Sequence, residues 1–351
     1  MAQTAAVVVE STPSEGSRAA SGSDFAPLLR SVKERGLLER RHGWYAREIA
    51  VNLLSLTGVV TGLVAIGDSW WTLLLAPVLA VLGARTAFIG HDAGHSQITG
   101  DKKAGRVIGL VHGNLLLGMS YAWWNDKHNR HHANPNHIDK DPDVLADVLV
   151  FTSGQAGKRT GFRRWLTRNQ AWLFFPLTLL EGIALKVHGF RDLRRQPPRE
   201  RAVEALLLVT HVVAYTALLL TVLSPLRALA FAVLHQVLFG LHLGMSFAPN
   251  HKGMEMPDPD GERWGHLRRQ VLTSRNVRGG VLTDWFLGGL NYQIEHHLFP
   301  SMPRPHLRRA QPLVRAYCRE MGIPYAETGL VDSYRQALRH MYEVGEPLRV
   351  E

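Results

Sequence analysis

Four long stretches of this 351-residue chain contain almost no charged residue, and they limit the folds that it can adopt. They cover residues 49–67, 69–90, 205–226 and 228–250, with Arg85 as the one charge among them. A helix needs roughly 20 apolar residues to cross a bilayer. A surface helix of a soluble protein of this length would carry a polar face. The stretches therefore predict four transmembrane helices, with Arg85 snorkelling from one end of the second.

Very short connections join these stretches in pairs, which predicts two helical hairpins. Gly67-Asp68-Ser69 separates the first two stretches, and residues 224–227 separate the last two. The predicted fold class is an all-α membrane protein of four transmembrane helices. Residues 91–204 and 251–345 would form a helical cap on the cytosolic side, within one domain over residues 25–345. Residues 1–24 are rich in Ser, Gly and Ala, contain no secretory signal, and are expected to be disordered.

Charge asymmetry predicts the orientation of the hairpins. Basic residues lie before the first hairpin and between the two: Arg40, Arg41, Arg47, Lys158, Arg159, Arg163, Arg164, Arg168, Arg191, Arg194, Arg195, Arg199 and Arg201. Loops that carry Lys and Arg stay in the cytosol. We therefore expect both termini in the cytosol. A composition rich in Ala, Arg, Leu and Gly favours a bacterial plasma (inner) membrane as the location of this multi-pass protein.

The overall charge is +10, from 40 Lys and Arg against 30 Asp and Glu. Such a balance suits nucleic acid, anionic lipid or an acidic redox partner. Since no recognition helix or RNA-binding signature is visible, nucleic acid is not expected as a partner. The single cysteine, Cys318, excludes an intramolecular disulfide, a thiolate metal cluster and a Cys-x-x-Cys redox pair, and is interpreted as a half-buried side chain of a C-terminal helix.

Three short histidine clusters lie just outside the apolar stretches. Their histidines are His91 and His95, then His128, His131 and His132, and finally His296 and His297. On a helix, positions i, i+3 and i+4 share one face, so each cluster offers its imidazoles to one side, and Gln293 lies on the face of the third. Seven imidazoles grouped in this way predict a site for two transition-metal ions.

Other metal designs fit the sequence less well. A carboxylate-bridged di-iron bundle needs paired Glu-x-x-His motifs, and Glu39/His42 is the one candidate. A zinc protease needs His-Glu-x-x-His, which is absent. Spacing alone leaves iron, zinc and copper open, because imidazole binds all three. Four carboxylates near the clusters are predicted to orient the histidine ligands by accepting hydrogen bonds from them, without binding metal themselves: Asp92, Asp126, Asp284 and Glu295.

Two further apolar stretches affect this topology. Residues 107–125 are uncharged, and if they crossed the membrane the first two histidine clusters would face opposite sides. Gly109, Gly113 and Gly118 weaken this stretch as a helix, so it is predicted to be interfacial or re-entrant. Residues 171–185, which Glu181 interrupts, are likewise predicted to be interfacial.

The clusters read HDAGH, HNRHH and QIEHH, and they resemble the histidine boxes of the integral-membrane fatty acid desaturases. The string LNYQIEHHLFPSMPR, residues 290–304, is similar to the front-end and acyl-lipid branch, in which a glutamine replaces the first histidine of the third box, as Gln293 does here. The resemblance covers roughly residues 44–325. It implies a non-haem di-iron centre that uses O₂ and two electrons to remove two hydrogens from an acyl chain carried as acyl-CoA or acyl-lipid.

The resemblance also implies a further histidine ligand between the second and third boxes. His251, preceded by Asn250, lies where it is expected, at the cytosolic end of the fourth apolar stretch. His235 and His242, deeper in the same stretch, are interpreted as hydrogen-bonded interior residues. Asn250 and Gln293 are also expected to help orient the ligands, and whether Gln293 itself contacts metal stays open. No catalytic side chain is implied beyond the metal centre, because the metal and O₂ carry the chemistry.

Many front-end desaturases carry a fused cytochrome b5 domain with a His-Pro-Gly-Gly motif. This sequence has neither that motif nor a Gly-x-Gly dinucleotide fingerprint. We therefore expect a separate electron donor, a ferredoxin or a cytochrome b5-like carrier with its reductase, attracted to the basic cytosolic face.

An acyl chain would need an apolar tunnel beside the metal. Aromatic residues near the boxes could line it, although aromatic residues at a membrane interface are more often anchors: Tyr121, Trp123, Trp124, Trp285 and Phe286. The nearest alternative function is hydroxylation of an acyl chain or alkane by the same centre. A membrane metal transporter is a remote alternative, supported only by His211 and His235 within the apolar stretches.

Overall fold

The structure is a computed structural model that describes residues 23–145, 148–258 and 260–350. Of the tail predicted over residues 1–24, all but the last two residues lie outside the described residues. In chain order the α-helices are α1 (Ala26–Glu34), α2 (His42–Ile66), α3 (Leu75–Gly94), α4 (Lys102–Gly109), α5 (Tyr121–Ala133), α6 (Ser153–Gly157), α7 (Gly161–Arg168), α8 (Gln170–Thr178), α9 (Glu181–Asp192), α10 (Pro198–Val222), α11 (Pro225–His251), α12 (His266–Leu272), α13 (Val281–Phe286), α14 (Gln293–Leu298), α15 (Arg304–Glu320), α16 (Leu330–Val344) and α17 (Pro347–Val350). Two 3₁₀ turns (Trp70–Leu74 and Leu193–Arg195), a π-helical turn (Leu110–Leu116) and two short strands, β1 (Asn276–Arg278) and β2 (Glu327–Gly329), complete the described elements.

Four of these helices are long and apolar enough to cross a membrane, which confirms the predicted fold class. They are α2, α3 with the 3₁₀ turn before it, α10 and α11, of 25, 25, 25 and 27 residues. At about 1.5 Å per residue each exceeds the roughly 30 Å of a hydrocarbon core. Helices α10 and α11 begin at Pro198 and Pro225, since proline is pre-organised for the first helical turn.

The two hairpin turns meet at one end of the bundle. Asp68, in the first turn, accepts a hydrogen bond at 2.7 Å from the backbone N–H of Ser224, in the second turn. Its other carboxylate oxygen pairs with Arg227 at 2.6 Å. The opposite ends of all four helices therefore point the same way, and the histidine-bearing segments continue from those ends.

Arg85 does not snorkel as predicted. Its guanidinium pairs with Glu48 on α2 and donates to the backbone oxygen of Trp285 at 2.8 Å. The side chain is only 12% exposed. Because a carboxylate lies beside it, the charge is neutralised within the protein and does not need to reach water.

The apolar stretch at residues 107–125 folds back and does not form one spanning helix, in agreement with the prediction. Helix α4 ends at Gly109, the π-helical turn follows, and Gly118 takes a φ of +71° before α5 begins. A Cβ on Gly109 would lie 2.3 Å from the Tyr121 ring, so the glycine permits the return of the chain.

Residues 171–185 are divided between α8 and α9, which meet at a bend of 73° when α9 is taken together with the 3₁₀ turn after it. The bend packs closely against Gly240 and Gly244 of α11. A Cβ on Gly240 would lie 2.8 Å from the backbone oxygens of Thr178 and Leu179. The pair is therefore a bent element at the bundle, either a broken span or a re-entrant segment, rather than one straight helix.

The remaining helices form a cap over the histidine-bearing end of the bundle. Helices α1, α12, α14 and α15 share a hydrophobic core with Leu28, Val271, Leu298 and Val314 among its buried residues. Cys318 lies in this core and is fully buried rather than half-buried. Strands β1 and β2 pair in parallel and tie the segment before the third histidine cluster to the C-terminal part of the chain.

Candidate metal centre

Eight histidines from four helices converge between the bundle and the cap. His91 lies in the last turn of α3 and His95 directly follows it, whereas His251 is the last residue of α11. The others come from α5 and α14: His128, His131, His132, His296 and His297. The structure thus brings together every histidine that the sequence analysis proposed as a ligand.

The first group consists of His91, His95, His128 and His296. One ring nitrogen of each lies within 4.8 Å of the others. The Nε2 atoms of His91 and His296 lie 3.2 Å apart, although α3 and α14 are distant in sequence. This group can surround one ion.

The second group consists of His131, His251 and His297, again with ring nitrogens within 4.8 Å. The Nε2 atom of His251 lies 3.3 Å from that of His131 and 2.8 Å from the amide nitrogen of Gln293. His132 lies between the groups: its Nε2 is 3.1 Å from His128 Nε2, and its ring stacks on His297 at 4.1 Å. The geometry therefore offers two adjacent sites.

The donor set fits metal ions. Imidazole nitrogens bind a metal such as zinc at roughly 2.0–2.1 Å, so two nitrogens on one ion lie about 3.0–3.4 Å apart, which is the spacing of these Nε2 pairs. The buried Nε2 atoms of His95 and His297 have no hydrogen-bond partner in the described protein. A buried ring nitrogen without a partner is costly in an apoprotein and is satisfied by a metal ion.

Burial also keeps the imidazoles in the form that metal needs. It lowers the pKa of each of these rings well below 6.5, with neighbouring imidazoles adding to the shift: His95, His128, His132, His296 and His297. A ring with a lowered pKa is neutral at pH 7 and has a lone pair free to bind.

Oxygen atoms outside the two groups hold the rings in place through Nδ1. His91 Nδ1 lies 3.0 Å from Asp92, and His131 Nδ1 lies 2.9 Å from Asp141. The corresponding acceptor for His251 is the backbone oxygen of Thr273 at 2.9 Å. His297 Nδ1 lies 3.0 Å from the side-chain oxygen of Gln270. Each contact favours the tautomer in which Nδ1 carries the proton. The unprotonated Nε2 then faces the centre and can bind metal.

Some of the residues predicted to orient the ligands do so and others do not. Asp92 contacts His91, and Asn250 donates at 3.1 Å to Gln293, which itself touches His251. The other three carboxylates have different partners. Asp126 is exposed and pairs with Arg130, Asp284 accepts from Asn291 and Tyr292, and Glu295 accepts from Asn276 and Tyr325.

Sequence reasoning missed Asp141, Gln270 and Thr273. Asp141 is fully buried and also accepts the backbone N–H of Asn136, a residue with a φ of +57°. The loop after α5 folds back on itself at Asn136 and returns the carboxylate to His131. An Asn or Asp in a short polar loop directly after a histidine cluster is a sequence signal that could have suggested this return.

A second network supports Asp92. Tyr45 on α2 donates to it at 3.0 Å, and Arg304, at the start of α15, pairs with it. The guanidinium of Arg304 also lies over the rings of Trp44 and Phe88. The orientation of His91 thus depends on α2 and on the cap as well as on α3.

A cavity of about 250 Å³ opens onto both histidine groups. His128, His131, His251 and His296 form one side of it. The rest of its wall includes apolar and charged residues: Trp124, Leu149, Phe151, Phe174, Leu185, Phe247 and Leu290, with Lys127, Asp143, Glu181 and Lys252.

Of the five aromatic residues considered for a tunnel, only Trp124 lines this cavity. Trp123 stacks on His188 at 5.9 Å, and Phe286 stacks on His242 at 4.0 Å. His242 also bonds the backbone oxygen of Phe286 at 2.8 Å, and His235 lies 2.9 Å from the Tyr215 hydroxyl. Both histidines are hydrogen-bonded interior residues, as their sequence position predicted.

Comparison with known proteins gives a consistent picture. A family model described as fatty acid desaturase matches residues 68–329. The Delta(8)-fatty-acid desaturase 2 of Arabidopsis thaliana is 30% identical over 320 residues, which cover 86% of this chain and 70% of that protein. An acyl-lipid (9-3)-desaturase of Physcomitrium patens is 28% identical, over 91% of this chain and 63% of its own length. A Delta(6)-fatty-acid desaturase of Caenorhabditis elegans is 28% identical, over 93% and 76%.

Proposed function

The chain belongs to the fatty acid desaturase family, and we propose that it introduces a double bond into a fatty acyl chain at a di-iron centre, with O₂ and two electrons as co-reactants. The observation that carries this proposal is the meeting of eight imidazoles, seven of them buried and that of His128 half-buried, with a cavity that opens onto them. A hydrogen on an unactivated methylene is beyond the reach of side-chain acids and bases. Iron with O₂ supplies the oxidising power, and the protein supplies position.

The two histidine groups would each hold one ion. His91, His95, His128 and His296 form one set, and the smaller group of His131, His251 and His297 forms the other, with His132 between them. All-imidazole ligation leaves the positive charge of the ions uncompensated, which favours anionic oxygen ligands. Gln293, held by Asn250, offers an amide beside His251.

The cavity is the proposed seat of the acyl chain. Its apolar wall, with Phe174, Leu185, Phe247 and Leu290, suits methylene groups. Its contact with His128 and His296 would place a chain carbon next to the ligands. Enclosure between the bundle and the cap keeps water from the reacting carbon. The proposal covers two acyl carriers, acyl-CoA and a membrane acyl-lipid.

Electrons are proposed to come from a separate carrier, a ferredoxin or a cytochrome b5-like protein with its reductase. The net charge of +10 supports attraction of an acidic partner. The histidine-bearing end and both termini are proposed to face the cytosol of a plasma-membrane protein, supported by the basic residues between the hairpins.

Product analysis tests the proposed reaction. Cells that express the chain should contain an unsaturated fatty acid that is absent from control cells, detected as methyl esters with double-bond mapping by mass spectrometry. The His297→Ala variant should lose the product. The matched control is His42→Ala, since His42 is an exposed histidine outside the centre.

The same chromatogram separates the alternatives. A hydroxy fatty acid in place of the alkene would assign the chain to acyl hydroxylation. Purified protein kept under argon should form no product, and product formed without O₂ would contradict the proposed use of O₂. Wild-type protein that is loaded with iron, supplied with dithionite and O₂, and still leaves every acyl chain tested unchanged would remove the desaturase proposal.

A further inference from the structure

A basic recess lies on the surface of the cap, and its lining shares no residue with that of the acyl cavity. It has a volume of about 510 Å³ and is lined by Arg278, Arg315, Arg319, Ile323, Tyr325 and Glu327. The residues come from β1, α15, the loop after α15, and β2. Neither the histidine ligands nor the acyl cavity uses any of them.

The charge of the recess is positive. Among its described lining residues, three arginines face one glutamate. Glu327 pairs with Arg315 and lies 3.6 Å from Arg278. Arginines continue along α15, where positions 308, 315 and 319 share one face, and of these Arg308 lies 3.8 Å from the carboxylate of Asp284. Arg278 and Arg315 remain 69% and 43% exposed, so their guanidinium groups can contact a partner.

The recess reaches close to the metal centre. Tyr325 lines it and donates a hydrogen bond at 2.7 Å to Glu295, which is fully buried. Asn276 donates to the other carboxylate oxygen of Glu295 at 2.7 Å. Glu295 directly precedes His296, a member of the first histidine group. One hydrogen bond, followed by the covalent chain from Glu295 to His296, therefore joins a half-buried tyrosine of the recess to a proposed ligand.

The outer face of α5 is another surface near the ligands, and it is less suitable. Asp126 and Arg130 form an ion pair there at 3.1 Å, with both side chains more than half exposed. The two charges cancel, so this face would not attract an anionic protein over a neutral one.

We infer that the recess around Arg278, Arg315 and Arg319 is the docking site of an acidic one-electron carrier protein, and that Tyr325 and Glu295 connect it to His296. This inference rests on the proposed desaturase function. Two reduced carriers would dock in turn, and each would leave oxidised by one electron. The two electrons, two protons from solvent and the two hydrogens of the acyl chain together reduce one O₂ to two waters, which balances the reaction.

Binding of the carrier tests the docking site without any turnover. The probe is an acidic [2Fe–2S] ferredoxin of the plant type, titrated by calorimetry into the zinc-loaded protein in lipid nanodiscs. Arg319→Glu should raise the Kd about tenfold at low salt, and the effect should shrink as salt screens the charges. The matched control is Arg163→Glu, an exposed arginine of α7 outside the recess. Equal Kd values for Arg319→Glu and wild type would overturn the inference.

The connection is tested separately with Tyr325→Phe, which keeps the ring and removes the hydroxyl. The Kd of the carrier should stay unchanged, while stopped-flow reoxidation of reduced carrier by the iron-loaded enzyme should slow severalfold. An unchanged rate would remove Tyr325 and Glu295 from the route. Coenzyme A at millimolar concentration should not displace the carrier, and competition would reassign the recess to the phosphate groups of an acyl carrier.

A chemical reductant separates failure of docking from failure of the proposed function. With dithionite in place of the carrier, Arg319→Glu should form as much product as wild type. If wild type forms no product with dithionite, the desaturase proposal fails, while the calorimetric result still decides whether the recess binds an acidic carrier. If wild type is active and Arg319→Glu has an unchanged kcat/KM for the carrier, the docking site alone is wrong.

Discussion

His131 and His251 are 120 residues apart in the chain, and their Nε2 atoms lie 3.3 Å apart. One comes from a helix of the cap and the other from the last turn of a membrane-spanning helix. Two imidazole nitrogens attract each other at this distance when a proton or a cation lies between them. The pair therefore marks the place where the proposed metal ion would join the cap to the bundle.

Replacement of His131 by alanine should remove metal and leave the fold intact. Asp141 loses the imidazole but still accepts the backbone N–H groups of Asn136 and Asp143, at 2.7 and 2.9 Å, so the loop stays satisfied. We expect bound iron, measured by plasma mass spectrometry, to fall from two ions per chain to one or none. Desaturation should be lost, with normal membrane insertion and helical circular dichroism. Full activity in this variant would exclude His131 from the centre.

Asp141 and Asp126 allow a matched comparison. Asp141 is buried against His131, whereas Asp126 is exposed and paired with Arg130. Loss of an outer carboxylate partner typically weakens metal binding by roughly 10–100-fold. Asp141→Asn should therefore lower metal affinity to this extent in a competition titration with a chelator, and Asp126→Asn should not change it. Equal affinities for the two variants would mean that Asp141 does not orient His131.

The sequence contained enough information to reject Asp126. At about 100° per residue, position 126 lies roughly on the opposite side of α5 from positions 128, 131 and 132. The same reasoning turns Glu295 away from His296 and His297, and the structure places it against Asn276 and Tyr325. Helical periodicity therefore predicts which residues of one helix share a site, for acidic residues as well as for histidines.

The contacts between helices could not be predicted in this way. Gln270 and Thr273 reach His297 and His251 from α12 and the residue after it, a segment without any motif. Arg304 reaches Asp92 from 212 residues away. Such contacts depend on how the cap packs on the bundle. Neither the length of the uncharged stretches nor the spacing of the histidines determines that packing. The four spans and the histidine clusters were predictable because each is a property of one continuous segment.

The bend between α8 and α9 makes Gly240 a sensitive position. A Cβ there would lie 2.8 Å from two backbone oxygens, which cannot move as a flexible side chain would. Gly240→Ala should destabilise the protein by about 1–3 kcal/mol, the usual cost of overpacking. Gly58→Ala is the control, because nothing lies within 4 Å of a Cβ at that position. Thermal unfolding in the same detergent should show a lower Tm for Gly240→Ala alone.

The proposed topology can be tested by cysteine labelling in a Cys318→Ser background. Lys102, Asp126 and Lys158 are exposed and lie on segments proposed to face the cytosol, whereas Leu226 is 67% exposed in the second hairpin turn at the opposite end. Asp126 is preferred to its neighbour Lys127, whose ammonium pairs with Asp143 beside the acyl cavity. An impermeant thiol reagent added to intact cells should label a cysteine at position 226 and none at the other three.

After lysis all four cysteines should react, which controls for accessibility. Labelling of positions 102 and 126 from opposite sides would mean that residues 107–125 cross the membrane. His91 and His128 would then lie on different faces, and they could not belong to one group of ring nitrogens within 4.8 Å. The return of the chain at Gly109 and Gly118 excludes this arrangement in the structure, so the labelling pattern tests the turn and the shared metal centre together.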